Sequence, residues 1–408
     1  MHTHFRPPIK ITALLLLLGL AFGVVGAQDD ASGEPIRIGI PNPYTPPGNV
    51  IYGEESRIGV DIAIDMWEDL HGTPDGRPIE LIHADTQGDP AAGRDAVERL
   101  ILQDRVDILV GCNHSSVGLV ISRLANEHNV PFVVMNCWSD EIRHLQYPQV
   151  FAPSNFSSRT GEAIASVVQG LDVDSFVMFA ENTDFGLGQA ELIEQMLNEN
   201  APEIDVETHI VDRQARDFTS EILPLKGNPP DLIGLVLVPP GGFLFTEQLA
   251  DQEVAPSSET LVIDVGGYVD QPGFWDAVGD AGLYHLAYVL HHPSISLTDL
   301  GQEVADRYTT ETGNEPTRLV FQGFDALWVA LDALDRSAEI NSEAIINALQ
   351  DTNLEATRGT IHFENEPLWQ QWPEIPFAVV QFQDVGQAPA KAPVVFPEES
   401  ASTGVIYP

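Results

Sequence analysis

Lysine is almost missing from this chain of 408 residues, which carries only Lys10, Lys226 and Lys391. Lysine and arginine together number 19, against 61 acidic residues, for a formal net charge of −42. So acidic a surface repels nucleic-acid phosphates and anionic lipid headgroups, which argues against both as partners. It favours solubility, and it suits a saline habitat in which counterions screen the self-repulsion. Cysteine is nearly absent too: Cys112 and Cys137 are the two present. Each ends an expected strand, and the two strands are expected to be neighbours. In an exported protein they either pair or remain buried thiols. Closing that loop is worth about 3 kcal/mol.

Catalytic signatures are missing. There is no GxSxG elbow, no HExxH and no phosphate-binding P-loop. No GxGxxG opens a helix, which disfavours a dinucleotide. His291-His292 runs into Pro293 without convincing partner ligands for a metal. The expectation is a protein that is no enzyme and needs no cofactor. After residue 27 no apolar run is long enough to span a bilayer.

What is present begins with a processing signal. Arg6 and Lys10 precede an apolar stretch from Ile11 to Val25, and Val25-Gly26-Ala27 offers small residues for cleavage after Ala27. No cysteine follows for lipid attachment. The mature protein is therefore expected in the periplasm or outside the cell. Hydrophobic content of 43% and length together suit two packed lobes rather than one.

From residue 36 strands and helices alternate. Ile36, Ile38 and Ile40 mark a strand, and Ile79 to His83 a second. Between them Gly59, Ile62, Ala63, Met66, Trp67 and Leu70 share one helical face, with Glu54 and Glu55 in the first turn, where the helix dipole favours acids. Asp61 and Asp65 fall on the outer, solvated face. Asp89-Pro90 reads as a cap followed by a first-turn proline. Val106 to Val110 is nearly all apolar and Pro131 to Met135 is another such run, the mark of parallel strands covered on both faces. The pattern restarts near Ser157, with strands over 175–180, 206–211, 232–238 and 260–265 and a further apolar segment over 283–290. Helices over 298–312, 319–337 and 342–349 and strands over 359–363 and 377–382 follow, and the Pro- and Ala-rich tail 387–408 is expected to be loosely ordered.

In open parallel sheets ligands bind beyond the carboxyl ends of the strands. One such loop is Gly111 to Ser116, where Ser115 or Ser116 caps a helix and offers itself to a ligand as well. The next, after the adjacent strand, brings Asn136 as donor and acceptor and Trp138 as a flat wall with one N–H, unless Trp138 simply packs under the loop. The first-strand loop runs from Tyr44 to Tyr52. The second half adds Thr183 to Gly186, Val238 to Phe243 and Asp264 to Tyr268, where two Gly-Gly pairs suit either tight turns or close approach to a ligand.

These stretches resemble the periplasmic solute-binding proteins of the Leu/Ile/Val- and amide-binding type. The opening "IRIGIPNPYTPPGNVIYGEESRIGVDIAIDMWED", the central "VDILVGCNHSSVGLVISRLANEHNVPFVVMN" and "FVMFAENTDFGLGQA" carry the likeness, in order, within residues 34–386. The resemblance implies an α/β, type I periplasmic binding protein fold, with two doubly wound parallel-sheet lobes joined by three crossovers. One lobe would comprise 34–155 plus 286–363 and the other 156–285 plus 364–386. The family closes the lobes over a small ligand and presents the closed form to an ABC permease, so the implied partners are a small molecule and that permease, with the protein a monomer. Tyr52 and Ser115 match family contact positions, and Phe185 stands where a tyrosine is frequent. Asn136 and Trp138 replace smaller residues, which favours an amide, an aromatic or another organic acid. The acid that meets a ligand ammonium falls at or beside Asp264. A sensor of the same fold, and an enzyme using the same cleft, are the competing readings.

Overall fold

The computed structural model describes residues 33–408 apart from Asp172 and Ser296, so the expected leader and its cleavage point lie outside the described residues. The chain opens with β1 (Ile36–Asn42), α1 (Val50–His71), β2 (Ile79–Asp85), α2 (Pro90–Arg99), β3 (Ile108–Gly111), α3 (Ser115–His128), β4 (Phe132–Val134), α4 (Glu141–His144) and β5 (Val150–Phe151). It continues with α5 (Ser157–Gly170), β6 (Ser175–Glu181), α6 (Asp184–Asn200), β7 (Asp205–Val211), α7 (Thr219–Ile222), β8 (Leu232–Val236), α8 (Gly241–Asp251), β9 (Leu261–Asp264), α9 (Phe274–Val278) and β10 (Leu286–Val289). The last part holds α10 (Asp299–Thr312), α11 (Arg318–Arg336), α12 (Ser342–Gln350), β11 (Asn353–Ala356), β12 (Gly359–His362), β13 (Ala378–Gln381) and β14 (Val394–Phe396).

Two sheets organise two lobes. The first runs β2-β1-β3-β4-β5 with every pair parallel. The second runs β14-β13-β10-β9-β8-β6-β7, parallel from β7 to β10 and antiparallel at β13 and β14. The uninterrupted apolar strands explain this layering. β3, β4, β8, β9 and β10 are buried along their whole length, as strands covered on both faces must be. The chain crosses between lobes after β5, after β10 and after β12.

Several sequence expectations need correction. β10 pairs with β9 and β13, so the stretch from residue 286 belongs to the second lobe, and that crossing comes later than expected. The tail is not loose. β14 pairs with β13, Ala392 and Val394 are buried, and Gln381 exchanges two hydrogen bonds with the Ile406 backbone, at 2.8 and 2.9 Å. A composition rich in proline and alanine conceals those apolar anchors. Helix α1 begins at Val50, earlier than expected, which takes Glu54 and Glu55 out of its first turn. Glu55 is buried instead, where Tyr308 Oη and Thr317 Oγ1 donate to its carboxylate at 2.9 and 3.1 Å. Leu70, expected on the inner face, is exposed. Asp89 does cap α2, accepting from the N–H groups of Ala91 and Ala92 at 2.9 Å each.

Helices α1 and α11 pack through glycines. A Cβ on Gly59 would lie 2.1 Å from the Val320 carbonyl oxygen, and one on Gly323 would lie 2.3 Å from that of Ser56. Only glycine permits so close a backbone approach. Arg143 ties the crossings together. Its buried guanidinium donates to the carbonyls of Cys137 (2.6 Å), Ser139 (3.0 Å) and Asn155 (3.2 Å), to Ser154 Oγ (3.3 Å) and to Gln371 Oε1 (2.8 Å). Segments from two of the three crossings thus share one cation.

Candidate functional site

The loops at the carboxyl ends of the two sheets face each other across a cleft, which narrows inward to a cavity. The cavity holds about 420 Å³ of space between atoms. Contacts from one lobe to the other span it, Arg213 to the Gly88 carbonyl at 3.4 Å and Tyr52 Oη to the Gly267 carbonyl at 3.2 Å, so the lobes stand closed. Of the residues singled out in the sequence, Tyr52, Ser115, Ser116, Asn136, Trp138 and Phe185 line it.

On the first lobe, β3 ends at Gly111 and α3 starts at Ser115. Cys112 takes the left-handed backbone region (φ 87°) and is bonded to Cys137 with 6.1 Å between Cα atoms, so the two loops that carry Ser115 and Trp138 are one linked unit. Of the two possibilities open from the sequence, the bridge is therefore the one present. Neither serine caps α3. His114 occupies the cap position without a side-chain bond, and Ser115 Oγ accepts from the Ser139 N–H at 3.1 Å. The neighbouring loop outcompetes the helix for that hydroxyl, and the positive end of α3 is left uncapped at the cavity wall.

Asn113 sets the floor. Its amide nitrogen donates to Asn42 Oδ1 (3.0 Å), and its oxygen accepts from Asn136 Nδ2 (3.0 Å). Asn136 Oδ1 in turn accepts from Trp138 Nε1 at 2.7 Å. The indole N–H expected to serve a ligand is therefore committed to the protein, and Asn136 acts by fixing the ring. Trp138 remains a wall, with Phe185 from the second lobe edge-on to it at 5.8 Å between ring centroids.

Asp264 is not in the cavity. It is fully buried below it, its oxygens accepting from the N–H groups of Gly267 (2.8 Å) and Val269 (3.1 Å), and burial pushes its carboxyl up to about 7. It folds its own loop. Gly266 permits close packing within the second lobe, and Gly267 serves the contact between lobes. A Cβ on Gly266 would lie 1.8 Å from the Leu237 carbonyl oxygen, and Gly267, at φ +70°, sits against the Arg318 guanidinium.

The charged residues of the cavity were not anticipated. Arg318, first residue of α11, donates to the Gly267 carbonyl at 2.6 Å, to Asp270 at 2.5 Å and to Tyr52 Oη at 3.0 Å, which joins the lobes at a buried ion pair. Its guanidinium also lies 5.5 Å from the Trp138 ring centre. Glu181, buried at the end of β6, accepts from Thr183 Oγ1 (2.8 Å) and the Val238 N–H (3.1 Å). Burial raises its carboxyl, while Arg213 and those two bonds pull it the other way. Arg213, just after β7, reaches across the cleft to the Gly88 carbonyl (3.4 Å) and to His114 Nε2 (2.5 Å). Among the described residues it forms no ion pair. In a chain so poor in cations, two arginines beside loops at the sheet ends were the available signal.

Comparison with known proteins agrees with this architecture. A family profile described as periplasmic binding protein matches residues 35–387. The Leu/Ile/Val-binding protein homolog 6 of Brucella abortus is 25% identical over 164 residues, which span 40% of this chain and 40% of that relative. Among solved structures, the substrate binding protein LivJ of Streptococcus pneumoniae in complex with isoleucine superposes with a TM-score of 0.77 at 18% identity, covering 89% of this chain and 100% of that one. A solute binding protein of R. palustris in complex with benzoate gives 0.76 at 18% identity, over 89% and 98% of the two chains. Such likeness speaks to the fold, and the family match spans nearly all the described residues. The chain belongs to the periplasmic binding protein family.

Proposed function

We propose that the protein works outside the cytoplasm as the solute-capturing component of an ABC importer. It closes its lobes over a small organic carboxylate that lacks an ammonium group and delivers it, as a monomer, to a membrane permease. One observation carries the ligand class: the cavity's balance of unspent charge. Arg213, whose charge acts on Glu181 but which forms no ion pair among the described residues, brings a guanidinium to a cavity that also borders the uncapped positive end of α3. Both arrangements favour an anion. The acids that would greet an ammonium are engaged elsewhere, Glu181 with Thr183 and Val238, Asp264 with its own loop. Tyr52, Trp138 and Phe185 supply aromatic surface for a flat apolar body.

Isothermal titration with benzoate and with isoleucine tests this. Benzoate is expected to bind and isoleucine to bind more weakly or not at all. Ser115→Ala should weaken benzoate binding by about 1–2 kcal/mol through loss of a hydrogen bond, and Trp138→Ala should weaken it more, because a wall is removed. Tighter binding of isoleucine would transfer the assignment to amino acids, with Glu181 as the ammonium partner.

A further inference from the structure

We propose that His114 is a positioning residue that must be uncharged for the lobes to close, so that capture of a ligand is linked to release of a proton from its ring. The contact between Arg213 and His114 has a fixed polarity. A guanidinium has only donors, so at 2.5 Å from Arg213 Nη2 the ring nitrogen Nε2 must present its lone pair. The proton of the neutral ring then sits on Nδ1, which is buried without a partner. A charged ring would set one N–H against a cation and leave the other buried with no acceptor. Both outcomes are unfavourable.

The contact bridges the lobes, with His114 at the start of α3 and Arg213 just beyond β7. It is packed tightly. A Cβ on Gly88, in the turn between β2 and α2, would lie 2.8 Å from His114 Cε1, and the Gly88 carbonyl is itself an acceptor for Arg213. Of the other charged groups nearby, Glu181 interacts with Arg213, but on the ring itself Arg213 is the charge that acts. Glu181 and Arg318 share the cavity, while Asp89, Asp184 and Asp212 line the outer cleft with Arg213. Glu181 and Asp89 already accept hydrogen bonds from Thr183, Val238, Ala91 and Ala92, and Arg318 is paired with Asp270. Burial first, and the Arg213 charge second, hold the closed-state ring well below the usual histidine range. Once the lobes part, water reaches the ring and its ordinary value of about 6.5 returns. Closure is therefore fully favoured above about that pH and opposed below it, because the open state then takes up a proton that the closed state cannot hold.

The inference rests on the two-lobed capture reading but not on the ligand class, and two measurements separate them. In titrations with benzoate, affinity should fall about tenfold from pH 7.5 to 5.5, the change expected when one proton is expelled. His114→Gln, whose amide oxygen accepts from Arg213 but does not titrate, should bind with the same affinity at both pH values. Solution scattering needs no ligand. The radius of gyration of the unliganded wild type should be larger at pH 5.5 than at 7.5, and that of His114→Gln should not change. A pH-independent wild type in scattering, or an unaltered pH slope in His114→Gln, overturns the proposal. Failure of benzoate to bind while the scattering change persists overturns only the ligand class. Should His114→Gln not fold, Arg213→Met removes the contact from the other lobe and should reduce the pH-dependent change in ligand-free scattering, leaving the part that burial of the ring causes; an undiminished change overturns the role of the contact.

Discussion

At the residue scale, buried cations perform the joining in a molecule that has few of them. Arg143 gathers five acceptors, three of them from the crossing segments and two from the loop after β4. Arg143→Ala should lower stability by more than about 2 kcal/mol, because bonds to a charged donor are lost and buried acceptors are left unpaired. Chemical denaturation checks this, and a change below 0.5 kcal/mol, the usual range for a surface substitution, would show that water replaces the guanidinium. Arg318 acts similarly across the cleft, through Asp270 and the Gly267 carbonyl. Six of the seven residues singled out from the sequence line the cavity, most of them because they stand just beyond strand ends, which face the cleft in this topology, and Tyr52 from the first turn of α1. Asp264 also follows a strand and still misses the cavity. The sequence reveals that an acid is there, but not that two N–H groups of its own loop will claim both oxygens. Arg213 was hidden for the opposite reason: its partner His114 is 99 residues away, and nothing local marks the pairing.

At the scale of elements, apolar continuity made the parallel strands readable, and helical spacing made α1 and α11 readable. What escaped were features decided by a neighbour. β5 has two residues and exists because β4 lies beside it. Helix α1 begins before Gly53, in a stretch of prolines and glycines that reads as loop. The glycine contact of α1 with α11 has a direct consequence. Gly323→Ala places a methyl group 2.3 Å from the Ser56 carbonyl oxygen, so the helices must separate. We expect a loss of about 1–3 kcal/mol, the cost typical of overpacking, seen as a lower thermal midpoint. Since Ser56 is one turn from Tyr52, ligand affinity should fall as well, whereas Gly313→Ala, beyond the end of α10, should leave affinity unchanged.

At the scale of the whole molecule, charge dominates. With 61 acidic and 19 basic residues, most carboxylates have no cation to meet, and apart from the buried pairs Arg318–Asp270 and Arg358–Asp325 the Arg and Lys ion pairs among the described residues lie at the surface, several of them one helical turn apart. Exposed pairs contribute little, so the net effect of surface charge is repulsion within the folded state. The unfolding midpoint should therefore rise between low and molar salt, as counterions screen that repulsion. A midpoint that stays level across that range would mean the carboxylates are spaced widely enough to ignore one another.

The outermost strands of the seven-stranded sheet also bear on how the protein behaves when concentrated. One margin is β14, three residues long between Pro393 and Pro397, and the other is β7, which carries Asp205, Glu207 and His209. A short strand bracketed by prolines and a strand studded with ionisable groups are both poor templates for another chain to zip onto. Crowded copies should thus resist fibril growth, and removing the last 22 residues, by baring β13, should forfeit that protection.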